Sequence, residues 1–236
     1  MKCFIGIDAG TSGIKVAVFD ALGNVRGTGY HECDVITPRP GWGEQDPREL
    51  WRACSAAVKM AIGSAGAAIE VGGIGFSGQM QGCLLVDRNL EPIGNCIIWL
   101  DQRSSAQVDE ICGLITDDEA LHLTSNPCLN SFWAPKLFWI RENRPEDYER
   151  AYKVMFVKDY LRLCMTGEIA TEVSDASLSF MLDVAARKWS YPVFDRLGID
   201  RSLVPDTLAE SYEVVGRLRC SVAEEWGIAP GVPVAA

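Results

Sequence analysis

What this sequence has little of narrows it first. It holds only two histidines, His31 and His122, and its nine scattered cysteines include no C-x-x-C pair. Neither a metal site nor a disulfide framework is expected from that supply. An odd number of separated cysteines fits reduced, mostly buried thiols and a cytoplasmic setting. No apolar run reaches the length that crosses a bilayer. The N-terminus enters a strand pattern at once, without the layout of a signal peptide. Positive charge is short as well: 22 Lys and Arg stand against 32 Asp and Glu, a net charge of -10. That balance argues against nucleic acid or an anionic membrane as a partner. The Gly-Lys-Ser/Thr of a P-loop is missing, and so is the strand-to-helix glycine turn of a dinucleotide fold.

Apolar residues, in contrast, are plentiful: 48% of the 236 residues are hydrophobic, enough for one large core or two small ones. The chain opens on an apolar run, Cys3-Phe4-Ile5-Gly6-Ile7, followed by Asp8-Ala9-Gly10-Thr11-Ser12-Gly13 and an alternating run from Ile14 to Asp20. Two strands closing on a short glycine turn predict a β-hairpin. Gly10 and Gly13 allow positive φ and would let a ligand approach the backbone closely. Free loop amides, the hydroxyls of Thr11 and Ser12, and the cation of Lys15 would together suit phosphate. Asp8 could hold a hydrated Mg2+ through an oxygen. An ordinary hairpin turn that happens to end in Asp accounts for the same residues.

A second turn at Ala21–Asn24 and a third strand over Val25–Asp34 follow. Thr37–Gly43 is too rich in Pro and Gly for regular structure, and Trp42 within it is either a cap on the core or a lip on a cleft. Asp46-Pro47-Arg48-Glu49 predicts a helix start, with Asp46 as N-cap, Pro47 at the first position and Glu49 completing a capping box. Glycines 63 and 66 are expected to end that helix. Val71–Ser77 reads as a buried strand returning parallel to an earlier one.

Ser77-Gly78-Gln79-Met80-Gln81-Gly82 then lies at a strand's C-terminal end, where open α/β sheets bind ligands; a plain turn into the strand Cys83–Asp87 is the alternative. A further strand, Ile93–Trp99, leads into Trp99-Leu100-Asp101-Gln102-Arg103. Asp101 there is a site carboxylate, the N-cap of the next helix, or both. Beyond residue 104 the pattern is mainly helical. Phe138 and Trp139 are expected in the core, a short strand over Tyr152–Val157, a helix over Lys158–Thr166 closed by Gly167, and helix ends at Gly198 and Gly227. Val232–Ala236 begins a strand and stops, so the chain is expected to be a piece of something longer.

The first hairpin is similar to that of sugar kinases, actin and Hsp70-type ATPases. Several motifs in order then make the chain resemble the FGGY carbohydrate kinases, and among them the xylulokinases. They are Ile5–Lys15, Trp42-Gly43-Glu44-Gln45-Asp46-Pro47, Ser77–Gly82, Trp99–Arg103, Ala134–Trp139, Lys158–Glu168 and Ser174-Asp175-Ala176-Ser177. The resemblance implies an α/β, ribonuclease-H-like (actin/Hsp70/sugar kinase) domain with a mixed central sheet flanked by helices. Residues 1–236 would be the sugar-binding N-terminal half of a kinase whose C-terminal nucleotide-binding domain lies outside the chain. ATP and Mg2+ are the implied cofactors, and the implied partners are a small-molecule sugar and that C-terminal domain. A homodimer is allowed, although nothing in the sequence fixes the oligomeric state.

By the same resemblance Asp8 positions Mg2+ and phosphate and is the catalytic residue carried here. Thr11, Ser12, Gly13 and Lys15 face the transferred phosphoryl group, and Met80, Gln81, Trp99 and Asp101 line the sugar pocket. Xylulokinases usually have His at the Gln81 position, a small polar residue at Trp133 and Asn at Leu100, which leaves the sugar open. The family's catalytic base falls past Ala236, so this chain by itself is expected to be inactive. A non-catalytic sugar-binding or regulatory module is the alternative function. An actin- or Hsp70-type ATPase explains only the first hairpin.

Overall fold

The computed structural model describes residues 1–66 and 69–236. Its first elements are β1 (Lys2–Ala9), β2 (Gly13–Asp20) and β3 (Val25–Glu32), joined as antiparallel hairpins. A short strand β4 (Glu44–Gln45) precedes α1 (Pro47–Ser64) and β5 (Glu70–Gly78). The six-stranded sheet runs in the order Val214–Arg217, Pro233–Ala235, β5, β1, β2, β3. β5 lies parallel to β1, as a strand returning after a helix should, so the sheet is mixed.

Period-2 alternation sets the two faces of this sheet. Cys3, Ile5, Ile7, Ala9, Ile14, Val16 and Val18 are buried under α1. Phe4, Asp8, Lys15 and Tyr30 project from the other, exposed face. The helix can lie this close because β3 carries glycine beneath it: a Cβ on Gly29 would sit 2.0 Å from the carbonyl oxygen of Ala57. Asp46 caps α1 by accepting from the backbone N–H of Arg48 at 2.8 Å. The expected capping box is not completed, because Glu49 instead pairs with Arg52 one turn on. Nor does Gly63 stop the helix. A Cβ on it would meet nothing within 4 Å, and α1 runs on to Ser64 before Gly66 turns left-handed.

A second, four-stranded sheet has the order β4, β7 (Pro92–Ile97), β6 (Cys83–Val86) and β8 (Lys153–Met155). The helices α2 (Ser105–Leu114), α3 (Asp117–Thr124) and α4 (Trp133–Asn143) are followed by α5 (Pro145–Arg150) and α6 (Val157–Thr166). A separate core forms around β6, β7 and α4, with Phe132, Trp133, Leu137, Phe138 and Phe156 fully or nearly buried. Trp42 meets this core: its ring stands edge-on to Trp139 at 5.2 Å, so it is a cap rather than a lip. Gly167, Gly198 and Gly227 close helices with left-handed φ, as the sequence predicts. Among the described residues no helix is long and apolar enough to cross a membrane.

Candidate active site

Asp8 is the penultimate residue of β1. In register it faces Lys15 across the hairpin and Ser77 across the parallel pair. Its carboxylate is exposed and enters no ion pair or side-chain hydrogen bond among the described residues. With Lys15 and Ser77 it borders a groove of about 870 Å3, whose floor is the open sheet face at Gly6, Ala17 and Gly75. The groove does not extend to Met80, Gln81 or Trp99.

The turn after Asp8 is shaped by space rather than by handedness. Neither Gly10 nor Gly13 uses the positive φ that glycine allows. Gly13 is required because a Cβ there would sit 2.5 Å from the Tyr30 ring and 2.7 Å from the His31 carbonyl oxygen. The Tyr30 hydroxyl in turn donates to the carbonyl oxygen of Ser12 at 3.2 Å, and the Cys33 N–H donates to the same oxygen at 3.1 Å. Held so, the turn leaves the Ser12 side chain exposed. The Thr11 hydroxyl is already engaged: it accepts from Trp99 Nε1 at 3.0 Å and donates to Gln79 Oε1 at 3.3 Å.

Those two bonds bring three separate stretches together, and a fourth joins them. Gln45, on β4, donates from Nε2 to the carbonyl oxygen of Thr11 at 2.8 Å. Its Oε1 accepts from Gln79 Nε2 at 2.6 Å. Trp99, 43% exposed, thus leans directly on the turn after Asp8. Sequence reasoning assigned no role to Gln45 or Gln79. The available signal was that each sits inside a quoted motif next to a candidate residue.

Met80 is 54% exposed, and Gln81 adopts a left-handed φ of 68°. A non-glycine residue in that region needs support, and α4 provides it from beneath. Lys136 donates to the carbonyl oxygen of Gln81 at 2.7 Å, and Trp133 Nε1 donates to that of Gly82 at 2.7 Å. Trp133 also stacks on Phe156 with ring centroids 3.8 Å apart. Burial pulls the Lys136 ammonium down to about 8, against the opposing pull of Cys83, Cys96 and Asp101. The bulky Trp133 is therefore a buried prop for the Gln81-Gly82 backbone.

Asp101 does not match its expected place in a sugar pocket. It is 0% exposed. Its Oδ2 accepts from the Gly43 N–H at 2.7 Å, and its two oxygens take the Nε and Nη2 of Arg103 at 2.7–2.9 Å. Arg103 also pairs with Glu44 at 2.7 Å and lies 3.8 Å over the Trp42 ring. Every strong acceptor direction of the carboxylate is thus committed to protein. Asp101 is not the helix cap either, since α2 begins after Ser104.

The chain matches the N-terminal domain of the FGGY family of carbohydrate kinases over residues 3–236. It is 37% identical over 233 residues to the xylulose kinase of Klebsiella pneumoniae, covering 98% of this chain and 47% of that one. It is 31% identical over 235 residues to the L-xylulose/3-keto-L-gulonate kinase of Escherichia coli, with 98% and 47% covered. The crystal structure of a xyloylose kinase from Brucella ovis superposes with a TM-score of 0.90 at 37% identity, over 99% of this chain and 48% of that one. The chain spans about half the length of the relatives it matches. These likenesses confirm the ribonuclease-H-like sugar-kinase fold, and the chain belongs to the FGGY family of carbohydrate kinases.

Proposed function

We propose that this chain is the sugar-binding, N-terminal half of an ATP-dependent kinase that phosphorylates a pentulose such as xylulose or a related polyol. The carrying observation is the bond from Trp99 Nε1 to Thr11 Oγ1, which sets the sugar-side indole against the turn that follows Asp8. A flat indole packs on a sugar's C–H face, and a hydroxyl held on it would then lie beside the phosphate-side loop. Phosphoryl transfer needs little more from a protein than such positioning and charge neutralisation.

The residues present fit Mg-ATP in part. Asp8 offers an exposed carboxylate free of other partners among the described residues, suited to a hydrated Mg2+. Lys15 stands opposite it in register. Ser12 has an exposed hydroxyl, whereas the Thr11 hydroxyl is engaged, so Thr11 would serve phosphate through its backbone N–H. Bound Mg-ATP would supply the transferred phosphoryl group. Met80, Gln81 and Trp99 would contact the sugar, while Asp101 acts from behind by fixing the loop that carries Trp99. The catalytic base and the adenine pocket are assigned to the remaining half of the polypeptide, so this chain alone binds sugar without turnover. The setting is cytoplasmic.

Two experiments test the reading, one on this chain and one on the full-length protein. Calorimetry of this chain with a panel of pentuloses, hexuloses and alditols should show binding of at least one pentulose. Mass spectrometry of the full-length protein with Mg-ATP should show the sugar phosphate, with turnover of roughly 1–100 per second. The same turnover by residues 1–236 alone would place base and nucleotide site within them and overturn the division. No phosphorylation by the full-length protein would favour the non-catalytic module.

A further inference from the structure

We infer that Gln45 and Gln79 are positioning residues that couple the sugar side of the site to its phosphate side. The inference rests on the reading above for what each side binds, but its geometry stands by itself. The bonds form a closed ring. Thr11 donates from Oγ1 to Gln79 Oε1, Gln79 donates from Nε2 to Gln45 Oε1, and Gln45 donates from Nε2 to the carbonyl oxygen of Thr11. Trp99 enters it by donating from Nε1 to Thr11 Oγ1.

The ring has one polarity. Thr11 has a single hydroxyl proton, which goes to Gln79 because the indole N–H can only donate. Flipping the Gln45 amide would set its oxygen against the Thr11 carbonyl oxygen and leave a buried donor unpaired. Both glutamines are buried, Gln45 at 1% and Gln79 at 8% exposure, so water cannot readily replace a lost partner and the cost falls on geometry. Gln79 is fixed further by its backbone N–H, which donates to the Ala9 carbonyl oxygen at 2.8 Å. A sugar that settles on Trp99 therefore settles the Thr11 hydroxyl, and through the ring the carbonyl and amides of the turn that faces phosphate. Neither glutamine needs to touch either ligand.

The test has an arm that does not depend on activity. In the 15N-labelled chain, hydrogen exchange of the Trp99 indole N–H is compared between wild type, Gln45→Met, Gln79→Met and the double variant. Gln45 has no bond to Trp99, yet Gln45→Met should speed that exchange by about tenfold, because one opened link releases Thr11. The double variant should match either single one within about twofold, since a ring opens once. Should Gln45→Met fail to fold, Gln45→Glu keeps the acceptor for Gln79, loses the donor to Thr11, and should give the same loss of protection. Unchanged Trp99 exchange in a folded Gln45 variant, or losses that multiply in the double variant, would overturn the inference. In the full-length protein, Gln45→Met should lower kcat by about tenfold or more with the sugar KM within about threefold. An equal loss confined to KM would overturn the coupling. A wild-type protein that phosphorylates no pentulose would count against the proposed function, and the exchange arm would still decide the ring.

Discussion

Asp8 and Asp101 invite comparison because they look alike in sequence. Each stands in a short polar stretch at the end of an apolar strand, and each has a cation after it, Lys15 seven residues on from Asp8 and Arg103 two residues on from Asp101. Asp8 ends up exposed and uncommitted, with Lys15 opposite in the sheet register but no ion pair formed among the described residues. Asp101 ends up fully buried, tied to the Gly43 N–H and to a guanidinium that is itself stacked on Trp42. The difference lies in where the cation sits. Lys15 is a cross-strand neighbour whose long chain can lie along the open face. Arg103, two residues from Asp101, folds back onto it under an aromatic cover. A carboxylate left without partners is one that can serve a ligand; one saturated by protein donors serves the fold.

The largest effect expected from this contrast is on stability. Asp101→Ala leaves the Arg103 guanidinium buried with Glu44 alone and should cost on the order of 3 kcal/mol or more in urea unfolding. A cost below about 1 kcal/mol would mean that Asp101 is not structural.

A third carboxylate sharpens the comparison. Asp175 is buried, Lys158 lies 3.5 Å from its Oδ2, and that oxygen accepts no hydrogen bond among the described residues. Burial pushes its carboxyl up to about 7, with Lys158 opposing the shift and Asp159 and Glu172 adding to it. Glu172 is as deeply buried, and burial alone would raise it. Bonds from Lys158 and Ser174 outweigh burial and hold it down at about 2. The sign for Asp175 follows from its proton. The folded state keeps it up to about pH 7, whereas the unfolded chain releases it near 3.8. Its contribution to stability is therefore present below about pH 4 and lost as pH rises to about 7. Glu172 is ionised in both states across the upper part of that window. Urea unfolding should thus show stability falling by on the order of 2 kcal/mol between about pH 5 and 7. Asp175→Asn should flatten that slope; an unchanged slope would assign it to other groups.

The smallest effect concerns Gln81, which the proposed function sets beside the sugar. Glutamine both donates and accepts without changing charge near neutral pH. Gln81→His in the full-length protein should change the ratio of kcat/KM between two pentuloses by about tenfold. A ratio moved by less than about twofold would remove Gln81 from the pocket.

Legibility in the sequence followed distance along the chain. The hairpin around Asp8, the Asp46 cap and the glycine helix ends are local signals, and each has its cause within a few residues. The strand ends that carry Met80, Gln81 and Trp99 were also legible, because polar groups after apolar runs mark them. The fate of the Asp101 side chain was not, since it depends on Gly43 and Trp42, some sixty residues earlier. The ring of Thr11, Gln45 and Gln79 was hidden for the same reason: its links span 34 and 68 residues. Gly13 shows a third kind of gap. Its presence was read as backbone freedom, whereas the structure uses it as empty space for Tyr30.

The central claim, that Asp8 is kept free for chemistry, is tested most directly by the turnover of full-length Asp8→Asn at saturating pentulose and Mg-ATP. Its exposed position predicts an unfolding free energy within about 0.5 kcal/mol of wild type and an intact sugar affinity. Turnover should nevertheless fall on the order of a hundredfold or more, the usual loss when charge stabilisation at a reacting centre is removed. Turnover within a few-fold of wild type, in a protein of unchanged stability, would contradict the account.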